Sequence, residues 1–293
     1  MNLPKSFPAP YKKKVRLSRH TTFMIGGPAG LWVEPKDSAE LADILLWCRK
    51  HRVRVRVIGA GSNILAADRG IAGCVVRLNS PYFCTIQRSG NTVIAGAGAG
   101  LAQLLDFCAR IGLSGVEFLH GIPGTVGGAL AGNAGAKDKA IGDLVEFVSV
   151  MDYNGKISQR QVGKIDFSYR YSNLKDCVIL QACLKLVKKN TKEIRGIISG
   201  YSLQRRSTQG AAWASAGCCF KNPPGDSAGR LIDACGLKGA RIGGAMVSGK
   251  HANFILNKGN ASASDVLALM RRMSGAVKKE FGVRLEPEIL IWR

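Results

Sequence analysis

The 293-residue chain has no apolar run near the roughly 18 residues that a bilayer-spanning helix needs. No continuous apolar stretch follows the basic residues near its start either, so no secretory signal is read there and a cytoplasmic chain away from membranes is expected. Zinc-type and redox-type cysteine pairs are missing too. Nine cysteines occur (Cys48, Cys74, Cys84, Cys108, Cys177, Cys183, Cys218, Cys219 and Cys235), an odd count at irregular spacing without one C-x-x-C. That pattern argues against a zinc ribbon, a thioredoxin-like pair or a disulfide framework; small buried hydrophobes in a reducing compartment fit better, and no metal is expected. Acidic residues are scarce, 20 against 42 Lys and Arg, giving a formal net charge of +22. Nucleic-acid binding is the first reading of such an excess. Yet the basic residues are spread along the chain, apart from Lys12, Lys13, Lys14 and Arg16, and at 7% aromatic residues stacking platforms are few. A generally basic surface that suits a dianionic substrate is the better account, with no specific nucleic-acid partner.

What is present points to an α+β chain. Hydrophobic residues make up 46%, enough for a buried core split over two or three domains. Asp37 to His51 reads as a helix with Asp37 and Glu40 at capping-box spacing and Leu41, Ile44, Leu45 and Cys48 on one stripe. Val53, Val55 and Val57 alternate with arginines as a half-buried strand, and Cys74 to Leu78 follows as another. Further on, Thr92 to Ala95 reads as a strand and Leu101 to Ile111 as a helix. Val145 to Val150 and Val178 to Val187 read as strands flanking an Asn154-Gly155 turn. A basic helix runs from Thr191 to about Arg206. Asp226 to Gly236 reads as a short helix with an acidic N-cap, and Ser262 to Phe281 as a longer one stopped by Gly282. Val283 to Trp292 reads as a final strand, placed at a sheet edge by Pro287. The expected boundaries are 1–80 with a returning strand 289–293, then 81–190, then 191–288.

Two glycine-rich segments carry the strongest chemical signal. Gly59-Ala60-Gly61-Ser62-Asn63 follows a strand; its glycines let backbone N–H groups approach a ligand, and Ser62 and Asn63 add side-chain donors, which suits a pyrophosphate. It is not the dinucleotide fingerprint, since Leu65 and Ala66 stand where a third glycine and a helix should be. Alone, this segment reads equally well as a strand-ending turn. The second segment, Gly121-Ile122-Pro123-Gly124-Thr125-Val126-Gly127-Gly128 with Asn133-Ala134-Gly135, is harder to explain without a ligand. Each glycine weakens a regular element by about 0.5–1 kcal/mol relative to alanine.

These two segments resemble the FAD-binding half of the vanillyl-alcohol-oxidase/PCMH superfamily, and other runs narrow the resemblance to the UDP-N-acetylenolpyruvoylglucosamine reductase family, shorter form. The runs are T-T-F-M-I-G-G-P-A at Thr21, F-S-Y-R-Y-S at Phe167, A-G-C-C-F-K-N-P at Ala216, D-S-A-G-R-L-I at Asp226, V-S-G-K-H-A-N-F at Val247 and L-E-P-E-I at Leu285. They stand in family order across nearly the whole chain. The resemblance implies a PCMH-type module of two FAD-binding subdomains (1–80 and 81–190) plus an α/β domain (191–288) that binds a UDP-sugar. It implies non-covalent FAD held by Gly59, Ala60, Gly61, Ser62, Asn63, Gly121, Ile122, Pro123, Gly124, Thr125, Gly128, Asn133, Ala134 and Gly135. NADPH is the implied reductant and UDP-N-acetylenolpyruvoylglucosamine the substrate.

The family's catalytic positions fall on Arg170, Cys218 and Glu288. Arg170 matches the cation beside the substrate carboxylate and Glu288 the acidic partner on the C-terminal strand. Cys218 stands where most members carry the proton-donating serine. Neighbouring Cys219 is read as packing. Lys221 and Asn222, and on a helix end Arg205 and Arg206, match substrate contacts. His120 and His251 are read as structural. Gly210 and Ala214 replace residues that are commonly proline in the family.

Overall fold

Asp37 starts the first long helix by capping it: its carboxylate accepts the Glu40 N–H at 2.9 Å, while Glu40 accepts the Lys36 N–H at 2.7 Å. The helix, α1 (Ser38–Lys50), buries Leu41, Ile44, Leu45 and Cys48, the stripe read from sequence, together with Trp47. This is a computed structural model, and it describes residues 7–136, 139–209 and 214–293. The chain divides into two compact units, each assembled from separate stretches.

The first unit takes the described residues up to Lys13, then Leu31–Ala60 and Gly73–Gln204. Its centre is a five-stranded antiparallel sheet in the order Ile157–Gln161, Val145–Met151, Val178–Lys185, Thr92–Gly96, Ile86–Ser89. Gly155, at φ +76°, lies in the expected turn, but the strand that follows it is Ile157–Gln161, which was not expected, rather than Val178–Lys185. Helix α2 (Leu101–Arg110) buries Leu101, Leu104, Leu105 and Cys108 in the same core as α1 and this sheet. Each leucine so removed from water contributes roughly 1.5–3 kcal/mol. A four-stranded sheet has the order Tyr11–Arg16, Pro28–Val33, Ile71–Arg77, Val55–Ile58. Here the alternation expected of Val53, Val55 and Val57 fails: Val57 is 38% exposed and Ile58 only 2%. Val53 is buried because its N–H closes onto the Cys48 carbonyl at the end of α1, before the strand begins. Val57 faces outward from this strand and Ile58 inward.

The glycine-rich second segment contains a regular element that its composition argued against. Helix α3 (Val126–Ala131) starts at Thr125, whose Oγ1 accepts the Gly128 N–H at 3.4 Å. A Cβ on Gly127 would sit 2.9 Å from that of Ala97, so glycine here permits close packing that offsets its conformational cost. Helix α4 (Thr191–Gln209) is the basic helix.

The second unit comprises Lys14–Gly30, Gly61–Ala72 and Arg205–Arg293. It contains α5 (Ala228–Ala234), α6 (Ala263–Phe281) and a three-stranded antiparallel sheet of Arg241–Ile242, Ala245–Val247 and Ile255–Asn257. Ser262 and Asp265 cap α6 reciprocally, at 3.0 and 2.9 Å, and Gly282 ends it in the left-handed conformation at φ 69°. Asp68 adds a cap from far away in sequence, accepting the Ala263 N–H at 2.7 Å. Two expectations are corrected. Ser227, not Asp226, caps α5, since its Oγ accepts the Arg230 N–H at 3.1 Å; Asp226 instead pairs with the Arg230 side chain, which holds its carboxyl down at about 2. The final strand is only Leu290–Trp292, parallel to Ile64–Ala66. Pro287, which has no N–H to donate, meets Phe220 in an isolated bridge ahead of it.

All nine cysteines are free thiols. Among the described residues no helix is long and apolar enough to cross a membrane, and no three or more His, Cys, Asp or Glu gather as metal ligands do.

Candidate active site

Within the first unit the two glycine segments touch. A Cβ on Gly59 would lie 2.4 Å from Thr125 Oγ1, so only glycine allows the contact. Backbone bonds stitch the second segment to the strand end beside it: Leu101 N–H to Gly124 O at 3.0 Å, Val126 N–H to Ala99 O and Gly127 N–H to Ala97 O, both at 2.9 Å. Gly121 takes φ +71°. Gly121, Pro123 and Gly128 remain exposed, while Gly59, Ala60, Ile122, Gly124 and Thr125 are half-buried. With so few side chains in the way, the backbone of both segments lies within reach of a ligand, as a cradle for a cofactor diphosphate requires.

Arg170 is tied to the far end of this segment. It sits in the two-residue turn of a hairpin, Phe167–Ser168 with Tyr171–Ser172, at φ +56°. A non-glycine residue there is strained by an amount on the order of 1–3 kcal/mol and is held only by its surroundings. Three bonds do the holding. Asn133 donates through Nδ2 to Ser168 O at 3.0 Å, Ser172 Oγ donates to Ala131 O at 3.0 Å, and Arg170 Nη1 donates to Gly135 O at 3.4 Å. Asn133, itself at φ +43° and 8% exposed, also accepts the Gly142 N–H at 3.0 Å. So Asn133 acts as a brace between backbone segments, a role that composition alone does not announce.

The other catalytic candidates belong to the second unit. Gly61, at φ +66°, packs so tightly that a Cβ would come within 2.0 Å of His20 O. Its carbonyl accepts the Thr22 N–H at 3.2 Å, and Thr22 Oγ1 donates to Ser215 O at 2.6 Å. Cys218 and Glu288 lie on segments that run side by side. Cys218 bridges Phe254, Phe220 bridges Pro287, the Glu288 N–H donates to Cys219 O at 2.8 Å, and the Lys221 N–H donates to Glu286 O at 2.9 Å. Both Cys218 and Glu288 are half-buried. Cys219 is wholly buried, and that burial pushes its thiol up to about 12, with Cys218 and Glu288 near enough to add to the effect. It is a packing residue, as read.

Asn63 holds the Glu288 segment from the other side. Its Nδ2 donates to Glu288 O at 3.2 Å and its own carbonyl accepts the Leu290 N–H at 2.9 Å. Asn253, 1% exposed, does the same for the Cys218 segment. Its amide accepts the Phe220 N–H at 3.0 Å and donates to Phe220 O at 2.8 Å, while its backbone carbonyl accepts the Cys219 N–H at 2.8 Å. Its position in the V-S-G-K-H-A-N-F run was the one available signal. His251 accepts the Asn253 N–H on Nδ1 at 3.3 Å, and burial lowers its pKa, so a neutral structural imidazole fits.

Of the substrate candidates, Lys221 forms an ion pair with Glu286 at 3.4 Å. Asn222 accepts the Ala228 N–H at 3.1 Å, at the entry to α5. Arg205 and Arg206 occupy the last turns of α4, the first half-buried and the second exposed. Gly210 lies outside the described residues.

Comparison with known proteins accords with these features. The chain matches the family model of the FAD binding domain over residues 29–159 and that of the UDP-N-acetylenolpyruvoylglucosamine reductase C-terminal domain over residues 209–292. It is similar to the UDP-N-acetylenolpyruvoylglucosamine reductase of Moorella thermoacetica, 43% identical over 94% of this chain and 91% of the relative. The crystal structure of the Thermus caldophilus UDP-N-acetylenolpyruvylglucosamine reductase superposes with a TM-score of 0.84 at 39% identity, covering 97% of this chain and all of that one. More distantly, 6-hydroxy-D-nicotine oxidase from Arthrobacter nicotinovorans shares the fold over 64% of this chain and 44% of its own, with TM-score 0.50 and 16% identity. The chain therefore belongs to the UDP-N-acetylenolpyruvoylglucosamine reductase family and is an FAD-dependent oxidoreductase of PCMH-type α+β fold.

Proposed function

We propose that this enzyme reduces UDP-N-acetylenolpyruvoylglucosamine to UDP-N-acetylmuramate for peptidoglycan precursor synthesis, with NADPH as reductant, in the cytoplasm. Nine free thiols suit that reducing compartment. The observation that carries the reading is the pairing of the Cys218–Lys221 segment with Glu286–Glu288, which sets a thiol and a carboxyl on neighbouring backbone.

FAD, when bound, would supply the hydride, and the Gly59–Asn63 and Gly121–Gly135 segments would hold it non-covalently, within a division into 1–80 with 289–293, 81–190 and 191–288. Once the terminal carbon of the enol ether has gained a hydride, negative charge collects on the carbon bearing the carboxylate and spreads into it. Arg170 stabilises that charge, because a guanidinium offers a carboxylate two parallel donors and keeps its own charge at any working pH. Its strained, braced hairpin keeps the fork from reorienting during the reaction. Glu288 polarises the developing enol. Cys218 then gives its proton to the carbon: the S–H bond breaks, a C–H bond forms, and the thiolate recovers a proton from solvent. Lys221, Asn222, Arg205 and Arg206 bind the UDP-sugar.

Anaerobic stopped mixing of pre-reduced holoenzyme with UDP-N-acetylenolpyruvoylglucosamine tests this. Rapid return of the oxidised flavin spectrum is expected. A spectrum that stays reduced rejects the substrate.

A further inference from the structure

We infer that Asn63 is a positioning residue for the reaction, setting the place of the Glu288 carboxyl through a clamp on its backbone, and so does more than offer a donor to the cofactor. The inference rests on the reading of Glu288 as the acidic partner.

The Glu288 peptide groups are held on both sides. Its N–H is fixed by Cys219 O at 2.8 Å and its carbonyl by Asn63 Nδ2 at 3.2 Å. Two residues on, the Leu290 N–H is fixed by Asn63 O at 2.9 Å. Asn63 thus meets positions 288 and 290 at once, just where the parallel ladder of Ile64–Ala66 with Leu290–Trp292 begins. A one-residue slip in such a ladder turns every side chain to the opposite face. Between the clamped positions, Ile289 is 3% exposed, so the segment is also pinned by packing. With its backbone fixed at N–H and carbonyl, Glu288 has its Cα–Cβ direction fixed as well.

The clamp needs what asparagine has. A carboxylate in its place would present an oxygen to the Glu288 carbonyl oxygen, and alanine would leave that carbonyl without this donor. Asn63 also closes the Gly59–Asn63 segment, so the loop that takes the cofactor and the clamp that aims the acid are one stretch of backbone. Glycine at 61 lets that stretch close onto His20 O, where a Cβ would come within 2.0 Å.

The test compares wild-type, Asn63→Asp, Glu288→Gln and the double variant as flavin-loaded holoenzymes, with rates normalised to bound flavin. For Asn63→Asp the rate of enol ether reduction is expected to fall roughly 10- to 100-fold, the cost of a misplaced catalytic group. NADPH-driven flavin reduction, which does not use Glu288, should fall by a smaller factor than enol ether reduction, so the ratio of the two half-reactions changes. In the Glu288→Gln background, Asn63→Asp should cost little more, because it acts through Glu288. A purely structural Asn63 would lower flavin retention and melting temperature while leaving the per-flavin rate alone. An unchanged per-flavin rate, a parallel fall in both half-reactions, or full additivity with Glu288→Gln overturns the inference. Should Asn63→Asp shed its flavin, Asn63→Ala supplies the same ratios. The wild-type arm separates the two readings: a wild type inactive on the UDP-sugar removes the proposed function, whereas an active wild type with an unchanged variant removes only this clamp.

Discussion

At position 218 a thiol stands where the family commonly has serine, and its titration gives the substitution a measurable signature. A free thiol titrates near 8.5. As the proposed proton donor, Cys218 would act only while neutral, so substrate reduction is expected to fall as the thiol ionises at rising pH. Cys218→Ser, whose hydroxyl does not titrate there, should lose that alkaline limb even if its maximal rate is lower. A kcat profile for both proteins from about pH 6 to 10 makes the comparison; identical alkaline limbs would assign the limb elsewhere. Cys219 does not confuse the result, because burial pushes it up to about 12. The segment that carries these two was legible because it stands in a recognisable run. What the braces do was not. Asn253 and Asn133 act on backbone segments that only the folded chain brings alongside, Asn253 on Phe220 and Asn133 on Gly142 and Ser168. No local pattern marks an amide that serves partners remote in sequence.

Helix boundaries followed from side chains next to them, which is why α1 and α6 were readable to within a residue. The reciprocal cap of α6 also gives a number. Ser262→Ala removes the acceptor for the Asp265 N–H and is expected to cost about 1 kcal/mol, read as a lower denaturation midpoint with an unaltered flavin spectrum. No change in midpoint would mean that Asp68, which binds the Ala263 and Ser264 N–H groups, suffices to hold the end. Elsewhere local rules competed. Two acceptors, Asp226 and Ser227, stood side by side before α5, and the salt bridge to Arg230 left the cap to serine. Glycines at 127 and 128 signalled loop, yet α3 forms because close packing on Ala97 outweighs their cost. Apolar character from Val283 onward signalled one long strand, but only Leu290–Trp292 forms a strand, while Glu286–Glu288 pairs through a single bridge with a different segment, Cys219–Lys221.

For the molecule as a whole, the charge of +22 acts at a distance. The proposed substrate and NADPH are both anionic, so a positive surface raises their encounter rate, and salt screens that help. Raising ionic strength from about 0.05 to 0.5 M is expected to lower kcat/KM several-fold while kcat moves less than about two-fold, as screening of approach rather than of chemistry requires. Equal changes in both constants, or none, would show that the charge does not steer. The α+β class and the family were open to sequence reading, since runs from Thr21 to Ile289 stood in order. The two-unit division was not, because it depends on where the chain crosses from one core to the other.

That interleaving has a consequence at the ribosome. Phe23 and Ile25 end in the second core, the one that also holds Phe220, Leu231 and Val266. At roughly 5–20 residues per second, they emerge on the order of ten seconds or more before their neighbours are made. Through that interval the nascent chain carries Phe23 and Ile25 without most of the side chains that cover them in the folded core.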